Sequence, residues 1–287
     1  MGRIAYVNGR FVRHADAAVH IEDRGLQLAD AVYEVWALFD GKLVDAEGHF
    51  ARLSRSLGEL RIAEPMGRAA LTYVLKEAVR RNRVRDGLVY LQVSRGAAPR
   101  DHAFPRTPVH PGVIITVKAV DRVAAEARAA KGVGAITTPE NRWGRCDIKT
   151  VGLLPNVLAR QAAAEQGAGE ALFVDDLGFI TEGAASNVWI VDQDGSLRTR
   201  DTNANILRGV TRNTLIDVIR ETGLKVSERP FTPADAVGAR EMFISGAGAL
   251  VLPIVKLDGA MIGDGSPGPV AMRLRKLYIE RAMAAAV

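Results

Sequence analysis

The chain has 287 residues, 48% hydrophobic and 25% charged, which suits a soluble globular protein of one large or two modest domains and excludes a disordered or collagen-like chain. Its net charge of +5 comes from basic residues scattered without aromatic interleaving, so it carries no nucleic-acid footprint, and the densest run, Arg80 to Arg85, reads as a solvated helix end. One cysteine, Cys146, rules out an intrachain disulfide, and the lack of an apolar leader or a spanning apolar window points to the cytoplasm.

Asn8-Gly9 in "AYVNGRFV" predicts a tight hairpin, and Asp40-Gly41 predicts another between "VWALF" and "KLV". Phe50, Leu53, Leu57 and Leu60 recur every three or four residues and predict a helix over about 47–61. A second helix is expected over "GRAALTYVLKEAVRRN", then strands at "GLVYLQVSR" (87–95) and "GVIITVKAV" (112–120). The charged, alanine-rich stretch "DRVAAEARAAKG" (121–132) marks a linker between a small N-terminal domain, 1–120, and a larger one, 133–287. Beyond it, "LPNVLARQAAAEQGAG" is a helix with Pro155 in its first turn and Gly167 or Gly169 at its end. Asp194-Gly195 and Asp258-Gly259 predict two more hairpins, and "GVTRNTLIDVIRETG" and "PVAMRLRKLYIERAMAAA" two more helices. The class is α+β or mixed α/β.

No cysteine or histidine cluster has metal-ligand spacing, and no nucleophile elbow or phosphate-binding Walker loop occurs. "SGAGALVLP" lacks the third glycine and the acidic residue of a dinucleotide site. Three positions stand out. Lys149 lies between apolar residues with no helical partner ahead of it, though Asp147 offers a strand-face one; a desolvated lysine has a neutral amine that can form a Schiff base. Glu182, in "FITEGAASNVWIV", sits in so small and apolar a setting that its carboxylate needs a partner unless it faces water from a turn. Arg100 and His102 share a loop, "SRGAAPRDHAFP", where either a bland surface or an anion fork would fit.

Five stretches in order, "HFARL", "SRGAAPRDHAFP", "RWGRCDIK", "TEGAASNV" and "LRGVTR", make the chain resemble the class IV, fold-type IV pyridoxal-phosphate aminotransferases, and within them the D-amino-acid transaminases. The likeness runs from "EDRGLQLADAVYEV" (22–35) to "VLPIVKLDG" (251–259). It implies a small N-terminal α/β domain and a larger cofactor-binding domain with a β-barrel-like sheet core. It implies pyridoxal 5'-phosphate, with Lys149 as the Schiff-base lysine and proton shuttle and Glu182 as the partner of the pyridine nitrogen. Arg52 and the helix start Gly209-Val210-Thr211 would hold the phosphate, and Leu207 would pack on the ring. Tyr33, Arg100 and His102 would trap the substrate carboxylate, the latter two from a neighbouring subunit, so a homodimer is implied. The reaction implied is ping-pong transfer of an amino group between D-amino acids and 2-oxo acids. A branched-chain L-amino-acid transaminase and an aminodeoxychorismate lyase share the fold and stand as alternatives; the Arg-x-His loop favours the D-amino-acid reading.

Two departures from the family pattern are visible. Ala247 lacks the hydroxyl found at the family's phosphate-binding turn, a loss of about 1 kcal/mol for one neutral hydrogen bond. Ala184-Ala185 replaces serines common in these enzymes, and both departures, with Trp36, leave room for activity on (R)-amines or unusual side chains. Cys146, Trp143 and Trp189 are expected to be core residues, and Arg142, Arg145 and Asn156 have no assigned place.

Overall fold

The computed structural model describes residues 3–203 and 205–287. It divides into two compact units: residues 1–121 with 148–152 and 285–287, and residues 122–147 with 153–284. Among the described residues no helix is long and apolar enough to cross a membrane.

The first unit runs β1 (Ile4–Val7), β2 (Arg10–Arg13), α1 (Arg24–Leu28), β3 (Ala31–Phe39), β4 (Lys42–Leu43), α2 (Ala46–Glu59), α3 (Arg68–Asn82), β5 (Gly87–Ser94) and β6 (Gly112–Ala119). Its strands form one antiparallel sheet in the order β2-β1-β6-β5-β3-β4. Both expected tight turns are present: Asn8 and Gly9 (φ 46° and 92°) join β1 to β2, and Asp40 and Gly41 (φ 50° and 77°) join β3 to β4. Asn-Gly and Asp-Gly carry the left-handed backbone of a type I′ turn at low steric cost. The periodic leucines of α2 and α3, among them Leu53, Leu57, Leu71 and Leu75, pack with Trp36, Leu91 and Ile115 of the sheet into one core. Residues 148–152 add to this core through Ile148 and run beside β3, where Tyr33 N–H donates to Lys149 C=O (3.0 Å) and Val151 N–H to Ala31 C=O (3.2 Å).

The second unit runs α4 (Arg122–Lys131), β7 (Val133–Pro139), α5 (Leu154–Glu165), β8 (Glu170–Val174), β9 (Ile180–Gly183), β10 (Asn187–Val191), β11 (Leu197–Thr199), α6 (Val210–Glu221), β12 (Val226–Glu228), α7 (Pro233–Val237), β13 (Glu241–Gly246), β14 (Leu250–Leu257), β15 (Ala260–Met261) and α8 (Pro269–Ala285). The alanine-rich stretch read as a linker is largely α4, whose Ala129 is fully buried. The nine-stranded sheet is mixed, with β7 parallel to both β8 and β14.

The path from β10 through β13, β14, β7 and β8 to β9 takes five strand steps, about 24 Å if flat. Yet β9 and β10 are joined by residues 184–186 alone, a link that reaches at most ~15 Å. The sheet therefore curls, as the barrel-like expectation requires, and sets the end of β9 beside the start of β10.

The candidate active site

In the first unit, Lys149 sits on the short segment pinned to β3. Its Nζ lies 4.1 Å from the centre of the Tyr33 ring, a cation–π distance. Tyr33 in turn leans on Tyr90, whose hydroxyl is pushed up to about 12, first by burial and then by Tyr33. Ile148, 4% exposed, anchors the segment in the core, and Thr150 N–H donates to Ile148 C=O (2.9 Å), a tight three-residue turn centred on Lys149.

Arg52 projects from α2 onto Glu34 of β3. Arg52 Nε and Nη2 donate to the two carboxylate oxygens at 2.7 and 2.8 Å, and His49 Nδ1 lies 2.7 Å from Glu34 Oε2. Burial alone would raise the Glu34 carboxyl; the Arg52 charge and the bonds from Arg52 and His49 outweigh it and hold the carboxyl at about 2. Burial pushes His49 down despite Glu34, so the ring is neutral, and the tautomer that suits this contact donates a hydrogen bond from Nδ1–H to the carboxylate. The fork of Arg52 is thus set in one plane before any ligand arrives.

Arg100 and His102 lie on the loop between β5 and β6 with exposed side chains. Among the described residues neither hydrogen-bonds to Tyr33 or Lys149.

In the second unit, Glu182 is 5% exposed at the end of β9. Its required partner is Arg142, which pairs with Oε1, while Oε2 accepts from Leu207 N–H (3.1 Å) and Asn187 Nδ2 (3.4 Å). Arg142 is itself shared with Glu140, Nε to Oε1 at 2.8 Å and Nη2 to Oε2 at 2.5 Å, and lies 4.5 Å from the Phe173 ring centre. Burial would lower Arg142, but hydrogen bonding to Glu140 and the charges of Glu182 and Glu140 raise it, so it stays protonated. Turning Arg142 inward leaves Trp143 outward: that indole is 46% exposed and is not a core residue, contrary to expectation. Trp189 is fully buried and Cys146 is 9% exposed, its thiol raised to about 11, chiefly by burial. Arg145 is taken up by Asp147 at 2.9 and 3.0 Å. Asn156 Nδ2 donates to Ala184 C=O (2.8 Å), tying α5 to the link after β9.

Gly209 caps α6 with no side-chain bond, and Val210 and Thr211 open the helix. A Cβ at Gly209 would collide with Asn187 Oδ1, so the close approach of this turn needs glycine. Asn187 also donates to Leu207 C=O (3.0 Å), and so joins Glu182 to the turn before the helix. Ala247 lies in the turn between β13 and β14. The nearby hydroxyl of Ser245 is buried and accepts from Trp189 Nε1 at 2.9 Å. In the second unit the α6 N-terminus suits an anionic group and Glu182 a protonated ring nitrogen, and in the first Lys149 offers an amine able to bond an aldehyde; taken unit by unit, these residue types fit a pyridoxal phosphate.

Sequence reasoning missed Arg142, Asn187, Glu34 and His49. The one signal each carried was its place inside a quoted stretch: Arg142 in "RWGRCDIK", Asn187 in "TEGAASNV", His49 in "HFARL" and Glu34 in "EDRGLQLADAVYEV".

The profile of the family described as Amino-transferase class IV matches residues 31–257. A D-alanine aminotransferase of Staphylococcus haemolyticus is 37% identical over 279 residues, covering 96% of this chain and 97% of its own. One from Bacillus licheniformis is 39% identical over 270 residues, 93% of each chain. Among solved structures, the branched-chain amino acid aminotransferase of Escherichia coli superposes with a TM-score of 0.91 at 25% identity, over 98% of this chain and 95% of that one. A second branched-chain amino acid aminotransferase, solved with pyridoxamine 5'-phosphate, gives 0.89 at 27%, over 99% and 95%.

Proposed function

This chain belongs to the class IV aminotransferases, and from that premise we propose that it is a pyridoxal 5'-phosphate-dependent D-amino-acid transaminase exchanging amino groups between D-amino acids and 2-oxo acids. The observation that carries the proposal is the Arg100-Asp101-His102 loop within 37–39% identity to D-alanine aminotransferases over nearly the whole chain. The relatives named branched-chain aminotransferases are alike in fold at lower identity, 25% and 27%.

When bound, the cofactor supplies an aldehyde to receive the amino group and a pyridinium ring to withdraw electrons from the substrate Cα. Lys149 would hold the cofactor through that aldehyde, and its amine, when free, would be the group that takes up and gives back the proton of the substrate Cα. Glu182, paired with Arg142, would hold a proton on the ring nitrogen. Gly209, Val210 and Thr211 would receive the phosphate with the backbone N–H groups of the α6 N-terminus, Arg52, held by Glu34, would add its positive charge, Ala247 in the β13–β14 turn would line the cofactor site, and Leu207 would pack on the ring. Tyr33, Arg100 and His102 orient the carboxylate. Arg100 and His102 act in a neighbouring subunit of a cytoplasmic homodimer, which fits their exposure here. Ala184, Ala185 and Ala247 make a wall without hydroxyls that supports a side activity on (R)-amines, measurable with (R)-1-phenylethylamine.

The deciding experiment adds D-alanine and L-alanine separately to the holoenzyme. Bleaching of the absorbance at ~400–420 nm by D-alanine alone is expected; bleaching by L-leucine or L-alanine alone would give the site to L-amino acids. Borohydride reduction should fix the cofactor mass on Lys149. Mixed Lys149→Ala and Arg100→Ala subunits should regain activity if the loop acts in trans.

A further inference from the structure

The loop that carries Arg100 and His102 is exposed, yet its base is held by a buried ionic network. Asp30 follows Ala29, which ends α1 in the left-handed conformation (φ 55°) and turns the chain. Both Asp30 oxygens are taken by Arg95, Nε to Oδ2 at 2.6 Å and Nη2 to Oδ1 at 2.9 Å, and Oδ2 also by Arg24 Nε at 2.8 Å. Arg24 is 3% exposed and Arg95 8%. Each then uses its remaining fork on backbone. Arg24 Nη1 donates to Asp101 C=O at 2.6 Å and Nη2 reaches His102 C=O at 3.5 Å. Arg95 donates to Arg61 C=O (2.9 Å) and Leu60 C=O (2.8 Å) at the end of α2. The guanidinium of Arg95 lies 3.7 Å from the centre of the Phe104 ring, and that of Arg61 4.9 Å from it.

We infer that Arg24, Asp30, Arg95 and Phe104 form a strap that sets the direction of Arg100 and His102, making Asp30 a positioning residue for carboxylate recognition. The inference rests on the proposed role of that loop. Its physical basis is the placing of the contacts. The backbone carbonyls gripped by Arg24 belong to the turn that aims the two side chains, and the ring of Phe104 closes the loop two residues on. An arginine fork fixes direction as well as distance, so a lysine at 24 could not replace it. Burial would raise the Asp30 carboxyl, but the bonds and charges of Arg95 and Arg24 lower it, so the strap stays charged at working pH. Two arginines on one aspartate leave one positive charge in excess beneath the loop, the sign that draws a carboxylate.

The test compares Asp30→Asn, Arg24→Lys and Phe104→Ala holoenzymes with Arg100→Ala. In the strap variants the KM for D-alanine should rise, about tenfold for Asp30→Asn and about threefold for Phe104→Ala, while kcat stays within about twofold and the cofactor absorbance is kept. Trypsin should cut faster after Arg100 and Arg106. A KM that rises in Arg100→Ala but not in any strap variant, with unchanged cleavage, overturns the strap. A KM for D-alanine unmoved by Arg100→Ala sinks the proposed role of the loop instead. Should Asp30→Asn fail to fold, Phe104→Ala, whose ring is partly exposed, decides the question.

Discussion

Glu34 and Glu182 are both buried carboxylates facing an arginine, and they differ in who serves whom. At Glu34 the charges are one carboxylate, one guanidinium and a neutral His49, which sum to zero. At Glu182 they are two carboxylates, Glu182 and Glu140, on one guanidinium, Arg142, which sum to minus one. A neutral set is complete as it stands and works by holding Arg52 still. A set with one negative charge in excess is prepared for a cation, such as a protonated ring nitrogen. The lesson is that the same ion pair can be scaffold or chemistry, and the sum of charges within hydrogen-bonding reach tells which.

The strongest test of this contrast is Glu182→Gln. It removes the excess charge, and kcat should fall about 10²–10³-fold with the melting temperature little changed, because Arg142 keeps Glu140; kinetics beside a thermal melt check it. Glu34→Gln should do the reverse. It strands a buried guanidinium and should cost about 3–5 kcal/mol of stability, read by urea unfolding, with a smaller effect on kcat in whatever folds. If both variants show the same split, the distinction between the two clusters is void.

Acid sharpens the point. His49 is depressed below its ordinary 6.5, so the unfolded chain binds its proton first and stability falls as pH drops below 6.5. Glu34, lowered from 4.5 to about 2, adds stability that is complete above 4.5 and is lost towards pH 2, of order ~3 kcal/mol. Unfolding free energies measured from pH 7 to 4 should therefore decline, and His49→Gln should flatten the limb between 6.5 and 5. The smallest effect is expected at Ala247→Ser: a regained hydroxyl should slow cofactor loss on dialysis by roughly the worth of one hydrogen bond, ~1 kcal/mol.

Much of the local structure was legible. The Asn8-Gly9, Asp40-Gly41 and Asp258-Gly259 turns and the five expected helices follow from residues whose preferences are local. At Asp194-Gly195 the signal was incomplete: the link is longer, with Asp192 N–H bonded to Ser196 C=O, because Asp194 is not left-handed there. Helix α4 was hidden because its apolar residues are five alanines and one valine, too small to mark a core face, with Ala129 the one residue buried. In the candidate site, Lys149 and Glu182 were visible as oddities: each is a charge in an apolar run. Their partners were not. Arg142 is forty residues from Glu182, and Glu34 lies on a strand whose alternation gives no reason for a buried acid.

What the chain determined by itself is therefore what depends on near neighbours: turns, helix periods, and the sites where a charge breaks an apolar pattern. The curling of the nine-stranded sheet, the pairing of Glu182 with Arg142, the neutral state of His49 and the exposure of Trp143 were decided only by tertiary structure. The reason is that burial and electrostatics are sums over all atoms within a few ångströms, and in a folded chain most of those atoms come from residues far away in sequence.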